Sequence, residues 1–439
     1  MAHLASTKGA SFVHTWEELR GLIDAELISR DELEVRLGVE ALAILDEKIE
    51  PDLEYPLDAV DEIARLVVEL RERERHRATT EPLPWPSPTA AGAEIIREYL
   101  PDQDAPALSD LWRRVFGVTK GGQTVEWLFR SGPAGEAVRT VIEIGGRIVA
   151  HAGVAPVRFM LGDRAVRGGY SVGAMTDPAM RGRGYFVRIG RHLYRRLEEE
   201  GFAFVAGFSN RNSYRLMTGP LGRTSVRPFP WGVRVLKPVS LARTALGCRR
   251  AQAPPSAHEF TACEEDGVLV SRVEPDDPRI DTVWSRARPG VALGVIRDAA
   301  FSRWRFATRP EAGYRLLLAE RAGVPAAYVV SRPLEMRGIR ALFLVDFVLA
   351  DGEDGAGMVL LRALTRVARE EGVEILSALL PGSGPARRVL RKTGFRRVPE
   401  ALHPQLIRFS VRGLGRYAGH PNLVDPGCWS LSWADTDVV

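Results

Sequence analysis

The chain is poor in cysteine: 439 residues hold three, Cys248, Cys263 and Cys428. None stands in a Cys-x-x-Cys pair, which excludes a thiolate metal cage and a disulfide framework and fits a reducing compartment such as the cytoplasm. Long apolar runs are also missing. No stretch reaches the ~20 residues that cross a bilayer, and no signal-peptide core opens the sequence, so neither membrane nor secretion is expected. Net charge is scarce: +4 is modest for this length and leaves no nucleic-acid footprint. Low-complexity tracts and short-period repeats do not occur. What is there, 45% hydrophobic and 26% charged residues, describes a folded chain with room for two or three domains.

One stretch is dense in signals: Ala174-Met175-Thr176-Asp177-Pro178-Ala179-Met180-Arg181-Gly182-Arg183-Gly184-Tyr185-Phe186. Before it, residues 168–175 read as a strand. After it, Phe186, Ile189, Leu193, Tyr194 and Leu197 recur at helical spacing up to Gly201. Residues 202–208 then read as a buried parallel strand, so the unit is a βαβ crossover. Gly182 and Gly184 admit positive φ and let backbone approach a ligand. The first amides of the helix lack intrahelical partners, and with the helix dipole they make an anion site suited to a pyrophosphate. Arg181 and Arg183 add charge that pairs with phosphate oxygens. The plainer reading of Gly-Arg-Gly alone is a tight turn with two solvated arginines.

Around this unit the chain divides by composition. Residues 1–78 read as an all-helical module, with Thr15 and Ser29 as helix caps and Glu18 and Glu32 as their capping-box partners. The module is acidic, which speaks against DNA binding; it either extends the fold or offers a protein partner or dimer contact through residues 12–75. Residues 79–92 are a proline-rich linker. Residues 93–240 hold a strand, a helix, a hairpin around Gly145-Gly146 and a second hairpin before the crossover. A second linker is expected over 241–258. Residues 259–415 repeat the order: Trp304-Arg305-Phe306 echoes Trp127-Leu128-Phe129, and a helix closes at Gly394-Phe395. The tail, 416–439, carries Trp429 and Trp433 and is expected to pack on the fold. The expected class is α+β, with two mixed-sheet domains behind a small helical module.

The strand, turn, helix and strand of residues 168–208 resemble the acyl-CoA-binding segment of the GNAT superfamily of N-acetyltransferases, whose turn reads Arg/Gln-x-x-Gly-x-Gly/Ala. Arg181 and Gly184 match; Phe186 stands where a small residue is usual. The resemblance implies tandem GNAT-like domains and acetyl-CoA, or another acyl-CoA, as co-substrate, with no metal. It implies cofactor contacts at Ala174, Met175, Thr176, Arg181, Gly182, Arg183, Gly184, Tyr185 and Asn212. The family's thiolate-protonating tyrosine falls nearest Tyr214, one turn early; a half-buried packed ring is the alternative there. Candidate bases are Asp177, Glu143 and His151, although Asp beside Pro more commonly holds its own turn.

In the second half Asp351, Glu353 and Asp354 replace the arginines. They would repel a pyrophosphate, so that half is expected to be structural or to close the substrate cleft. The tail and the segment Ser209-Asn210-Arg211-Asn212-Ser213-Tyr214 resemble a branch of tandem GNAT proteins found with sugar-polymer biosynthesis. The expected activity is acetyl transfer from acetyl-CoA to a small-molecule or sugar amine by direct attack. Two other readings stand beside it: a CoA-binding sensor or scaffold signalling through the helical module, and aminoacyl transfer from a tRNA, which needs no pyrophosphate site.

Overall fold

The computed structural model describes residues 12–13, 55–56, 93–116, 127, 129, 132–209, 211–226, 231–245, 260–309, 313–336, 338–399 and 408–436. The chain forms two units, Met1–Ala91 and Gly92–Val439. In the first, strand β1 (Phe12–Val13) pairs antiparallel with β2 (Tyr55–Pro56). The helices expected over residues 12–75 and the linker at 79–92 lie outside the described residues.

The second unit opens with β3 (Glu94–Glu98) and helix α1 (Pro101–Phe116). The strands β4 (Val138–Ile144), β5 (Arg147–Leu161) and β6 (Arg164–Thr176) follow as an antiparallel meander. Helix α2 (Tyr185–Glu199) crosses over to β7 (Phe204–Ser209), then come α3 (Arg211–Thr218), β8 (Thr224–Val226), β9 (Trp231–Val235) and α4 (Pro238–Ala245). The remainder runs β10 (Cys263–Glu265), β11 (Val268–Val273), α5 (Arg279–Ala287), β12 (Leu293–Val295), β13 (Arg315–Arg321), β14 (Val324–Met336) and β15 (Ile339–Leu349). It ends with α6 (Asp354–Glu370), β16 (Ile375–Leu379), α7 (Pro385–Lys392), β17 (Arg396–Arg397), β18 (Arg408–Gly413) and β19 (Trp429–Ser430).

These strands make two mixed sheets. One has the order β19-β12-β5-β6-β7-β18-β8, with β4 on β5 and β3 on β4; the other reads β10-β11-β13-β14-β15-β16-β9-β17. Both repeat one plan: antiparallel strands, a crossover helix, then a parallel strand, with β6 parallel to β7 and β15 parallel to β16. The break expected at residues 241–258 does not separate the sheets. β9 lies between β16 and β17 of the second sheet, while β18 lies between β7 and β8 of the first. Each half of the sequence completes the other's sheet.

β5 runs unbroken through Pro156, which the sequence pattern places between two strands. Pro156 falls beyond the end of β4, at Val154, and before the start of β12 pairing, at Phe159. Its missing N–H therefore faces a gap in the ladder, the position a strand proline tolerates. One apolar core lies between the sheets and joins Phe159, Phe204 and Phe409 to Tyr328 and Phe343, with Trp429 and Trp433 of the tail inside it. On the outer faces α2 buries Ile189, Leu193 and Leu197, and α6 buries Val359, Leu360 and Leu364. Each such side chain contributes about 1.5–3 kcal/mol by leaving water.

Candidate active site

At the end of β6 the chain is pinned before it turns. The Asp177 amide donates to the Val149 carbonyl at 2.8 Å. Its carboxylate accepts from the Ala179 amide (3.1 Å), from Arg114 Nε (2.8 Å) and from Arg147 Nη2 (3.2 Å). Pro178 opens a single 3-10 turn whose Met180 is buried. Gly182 and Gly184 then take φ of +78° and +76°, and a Cβ at either would meet nothing within 4 Å. The backbone is therefore bare on its outer side. α2 starts at Tyr185 with Gly184 as its cap. Among the described residues, the amides of residues 182–186 find no backbone acceptor. Arg181 and Arg183 are exposed beside them. Free amides, the positive end of a fifteen-residue helix and two cations meet at one open turn, which fits a pyrophosphate.

The turn sits at the mouth of a split between parallel strands. β6 and β7 pair only at Gly169↔Val205 and Tyr170↔Ala206. Beyond Tyr170 the β7 side of β6 is unpaired as far as Thr176, which leaves main-chain groups of Ala174, Met175 and Thr176 along the opening. On its other side β6 stays on β5 but carries an irregularity between His151 and Gly153, where Gly173 takes φ of +62°.

His151 braces that irregularity. It is fully buried, and its Nδ1 lies 2.7 Å from the Gly173 carbonyl while Arg139 Nε donates to its Nε2 at 3.2 Å. With Nε2 accepting, Nδ1 carries the proton. Burial, then the neighbouring Arg139 charge, push its pKa down to about 3. A histidine so buried has both ring nitrogens already engaged within the fold. Glu143, the second expected base, is held by Arg97 at 2.6 and 2.8 Å. Asp177, the third, is satisfied by its three donors. Its geometry is that of a turn anchor, not a base.

Tyr214 lies on α3 with its hydroxyl on that of Ser225 in β8. Ser225 pairs with Ser410 of β18, which pairs with Gly207 of β7. The phenol is thus anchored two strand spacings from β7, roughly 10 Å, and outside the split, which argues against its role as thiolate acid. Asn212 belongs to α3, but its side chain lies outside the described residues, as does Asn210.

A cavity lies against the split. Tyr170 and Val172 of β6 and Phe208 of β7 form one wall; Trp127, Trp304, Arg305 and Arg309 form another; Ala434, Asp435 and Thr436 of the tail complete it. The rings of Trp127 and Trp304 stack at 5.3 Å, so the two sequence echoes meet face to face. Arg305 donates to the carbonyls of Ala434 (2.9 Å) and Thr436 (3.0 Å), fixing the tail in place. The tail's part in this wall is not visible in sequence, because its partners lie more than a hundred residues away.

The second sheet's crossover turn is closed differently. Glu353 is paired with Arg286 (2.8 Å) and Arg321 (3.3 Å), and Asp354 with Arg388 (3.1 Å). The carboxylates at this helix start are paired with arginines of the chain itself, and the Glu353 side chain makes no cap hydrogen bond to the helix. No group of three or more His, Cys, Asp or Glu able to hold a metal occurs among the described residues, and none of their helices is long and apolar enough to cross a membrane.

Residues 97–217 match the sequence model of the acetyltransferase (GNAT) domain. Comparison with curated proteins gives no match. Similar solved structures include a conserved protein of unknown function, a probable N-acyltransferase, from Enterococcus faecalis V583, at 12% identity over 73% of each chain with a TM-score of 0.49. A GCN5-related N-acetyltransferase from Anabaena variabilis ATCC 29413 shows 12% identity over 74% of this chain and 73% of its own, with a TM-score of 0.49. N-myristoyltransferase of Saccharomyces cerevisiae with bound myristoylCoA shows 12% identity over 75% of this chain and 84% of its own, with a TM-score of 0.47. By the family match, residues 97–217 are a GNAT acetyltransferase domain, and the chain is an enzyme that carries it.

Proposed function

We propose that the protein moves an acyl group, acetyl in the first instance, from coenzyme A to the amine of a small molecule or sugar. The observation that carries this reading is the open turn of residues 181–184, with unpartnered amides from residue 182 onward and flanking arginines, set at the mouth of the split between β6 and β7. The pyrophosphate would rest on the amides of residues 182–185 with Arg181 and Arg183 against it. The pantetheine arm would follow the unpaired side of Ala174, Met175 and Thr176. The amine acceptor would enter through the cavity walled by Trp127, Trp304 and the tail. With Asp177, Glu143 and His151 engaged elsewhere, water is the natural carrier of the amine's proton, and holding the two reactants together supplies much of the rate.

In this reading residues 259–415 are a second GNAT-like domain that does not bind coenzyme A and instead builds the far wall of the cleft. The acidic module of residues 12–75 would be a contact for a protein partner or a second copy. Replacing Arg181 and Arg183 together by Glu tests the assignment. Coenzyme A affinity measured by calorimetry should fall at least about a hundredfold, because two charge-assisted hydrogen bonds to phosphate give way to repulsion. Unchanged affinity would sink the pocket. Turnover of acetyl-CoA with a panel of amines separates the enzyme from a sensor, which would bind without releasing thiol.

A further inference from the structure

If the split of β6 and β7 holds the thioester, as proposed above, the group at its closed end bears on the leaving sulfur. That group is Arg223. The last β6–β7 pair is Tyr170↔Ala206; the next residues, Ser171 and Gly207, face each other where the strands begin to part. Arg223 Nε donates to the Tyr194 hydroxyl of α2 at 2.7 Å, and its Nη2 donates to the Ser171 hydroxyl. Nη1 is buried and has no hydrogen-bond partner among the described residues. A Cβ on Gly207 would stand 3.3 Å from Nη1 and 3.5 Å from the Ser171 Cβ. Arg223 as a whole is 3% exposed.

A guanidinium keeps its charge in any protein environment, and a buried charged donor without an acceptor is costly. Here one nitrogen of such a group has no acceptor among the described residues, and the missing side chain of Gly207 is what lets the strand lie against it. A second cation flanks the Tyr194 ring. Arg412 of β18 stands 5.4 Å from the Tyr194 ring centre, with its Nη1 on the Leu221 carbonyl. The carboxylate of Asp435 is bonded to the Tyr170 hydroxyl, and adjacent strand residues such as Tyr170 and Ser171 point to opposite faces. The distance also suits. From Thr176, beside the turn, to Ser171 the strand runs about 17 Å, the reach of an extended pantetheine arm between its pyrophosphate and its sulfur.

We propose that Arg223 is a catalytic residue that holds the coenzyme A sulfur as thiolate when the acyl group departs. The amine nitrogen bonds to the carbonyl carbon, the carbon–sulfur bond breaks with its electron pair going to sulfur, and the ammonium proton passes to water. Arg223 keeps all its protons and donates Nη1–H to the sulfur.

The product complex reports on this without any acceptor. Coenzyme A is bound to the full chain and its thiol is titrated by the ultraviolet absorbance of the thiolate. An adjacent cation lowers such a pKa by about 1–3 units, so the bound thiol should hold at least about tenfold more thiolate than the free one at the same pH below its pKa. Arg223→Gln should return it to the free value with coenzyme A still bound, and Arg223→Lys should keep part of the lowering. A wild-type pKa in Arg223→Gln overturns the proposal. Should that variant not fold, Gly207→Ala sets a methyl against Nη1: a raised thiol pKa supports the proposal and an unchanged one overturns it. A wild-type chain that binds no coenzyme A overturns the acyl-CoA reading, and this proposal with it.

Discussion

His151 shows how a buried side chain can brace the strands around a turn. Its imidazole is neutral in the fold down to about pH 3, against an ordinary pKa of 6.5. Between those values the unfolded chain binds a proton that the folded chain does not. The stability His151 supports is therefore full above about pH 6.5 and is lost as the pH falls toward 3. At 1.36 kcal/mol per unit, moving from pH 6.5 to 5 should cost about 2 kcal/mol. His151→Gln retains a donor for Gly173 and an acceptor for Arg139 but cannot titrate. Urea unfolding at the two pH values should show a drop about 2 kcal/mol smaller in the variant; equal drops would show that this histidine is not held neutral. At this scale the sequence is legible where chemistry is local. Arg181, Gly182, Arg183 and Gly184 are neighbours, and their pattern announces the open glycine turn with two exposed arginines that the structure has. Arg223 announces nothing, and His151 is legible only as one candidate base among three, because what gives them meaning, Ser171, Tyr194, Gly173 and Arg139, lies 12 to 52 residues away.

At the scale of elements, the crossover is readable because its period changes from strand to helix across a glycine turn, and α2 runs where the apolar spacing places it. The strand, helix and strand expected over residues 168–208 recur as β6, α2 and β7, with ends displaced by a few residues. What the pattern does not carry is how β5 passes Pro156 without a break or where β6 kinks at Gly173, since both depend on which strand lies alongside. Asp177 belongs to this scale as well, because it joins the end of β6, the 3-10 turn, α1 through Arg114 and β5 through Arg147. Asp177→Asn keeps an oxygen for the Ala179 amide but removes the charge that balances two arginines. Because the carboxylate is buried, we expect a loss of about 1–3 kcal/mol in stability and weaker coenzyme A binding as the turn loosens. The kcat at saturating acyl-CoA should stay within about threefold, since uniform binding is what is lost. A collapse of kcat with KM unchanged would restore Asp177 as the general base.

For the molecule as a whole, the exchange of β9 and β18 decides how the halves depend on each other. A linear reading of composition finds a boundary near residues 241–258, because linkers are local and strand exchange is not. Yet β7 has β18 as its neighbour along all six residues, and Phe409 of β18 is tilted against Phe208 at 4.8 Å and stands edge-on to Trp429 of the tail at the same distance. The tail is tied in by Arg297, which is bonded to Asp435 at 2.6 Å and faces Asp346 of β15 at 3.3 Å. Burial raises the pKa of Asp346, while Arg297 offsets that cost; removing one member of a buried set of this kind costs about 3–5 kcal/mol. A chain ending at residue 240 would lose β18, β12 and β19 together. That would bare an edge of β7 and the apolar faces of Phe159 and Phe204, which no linker could cover. We therefore expect residues 92–240 expressed alone to show no cooperative thermal transition, and residues 92–439 to show a single one, followed by circular dichroism and by tryptophan fluorescence. Two separable transitions in the longer chain, or a folded short one, would mean that the exchanged strands are appended to domains stable without them.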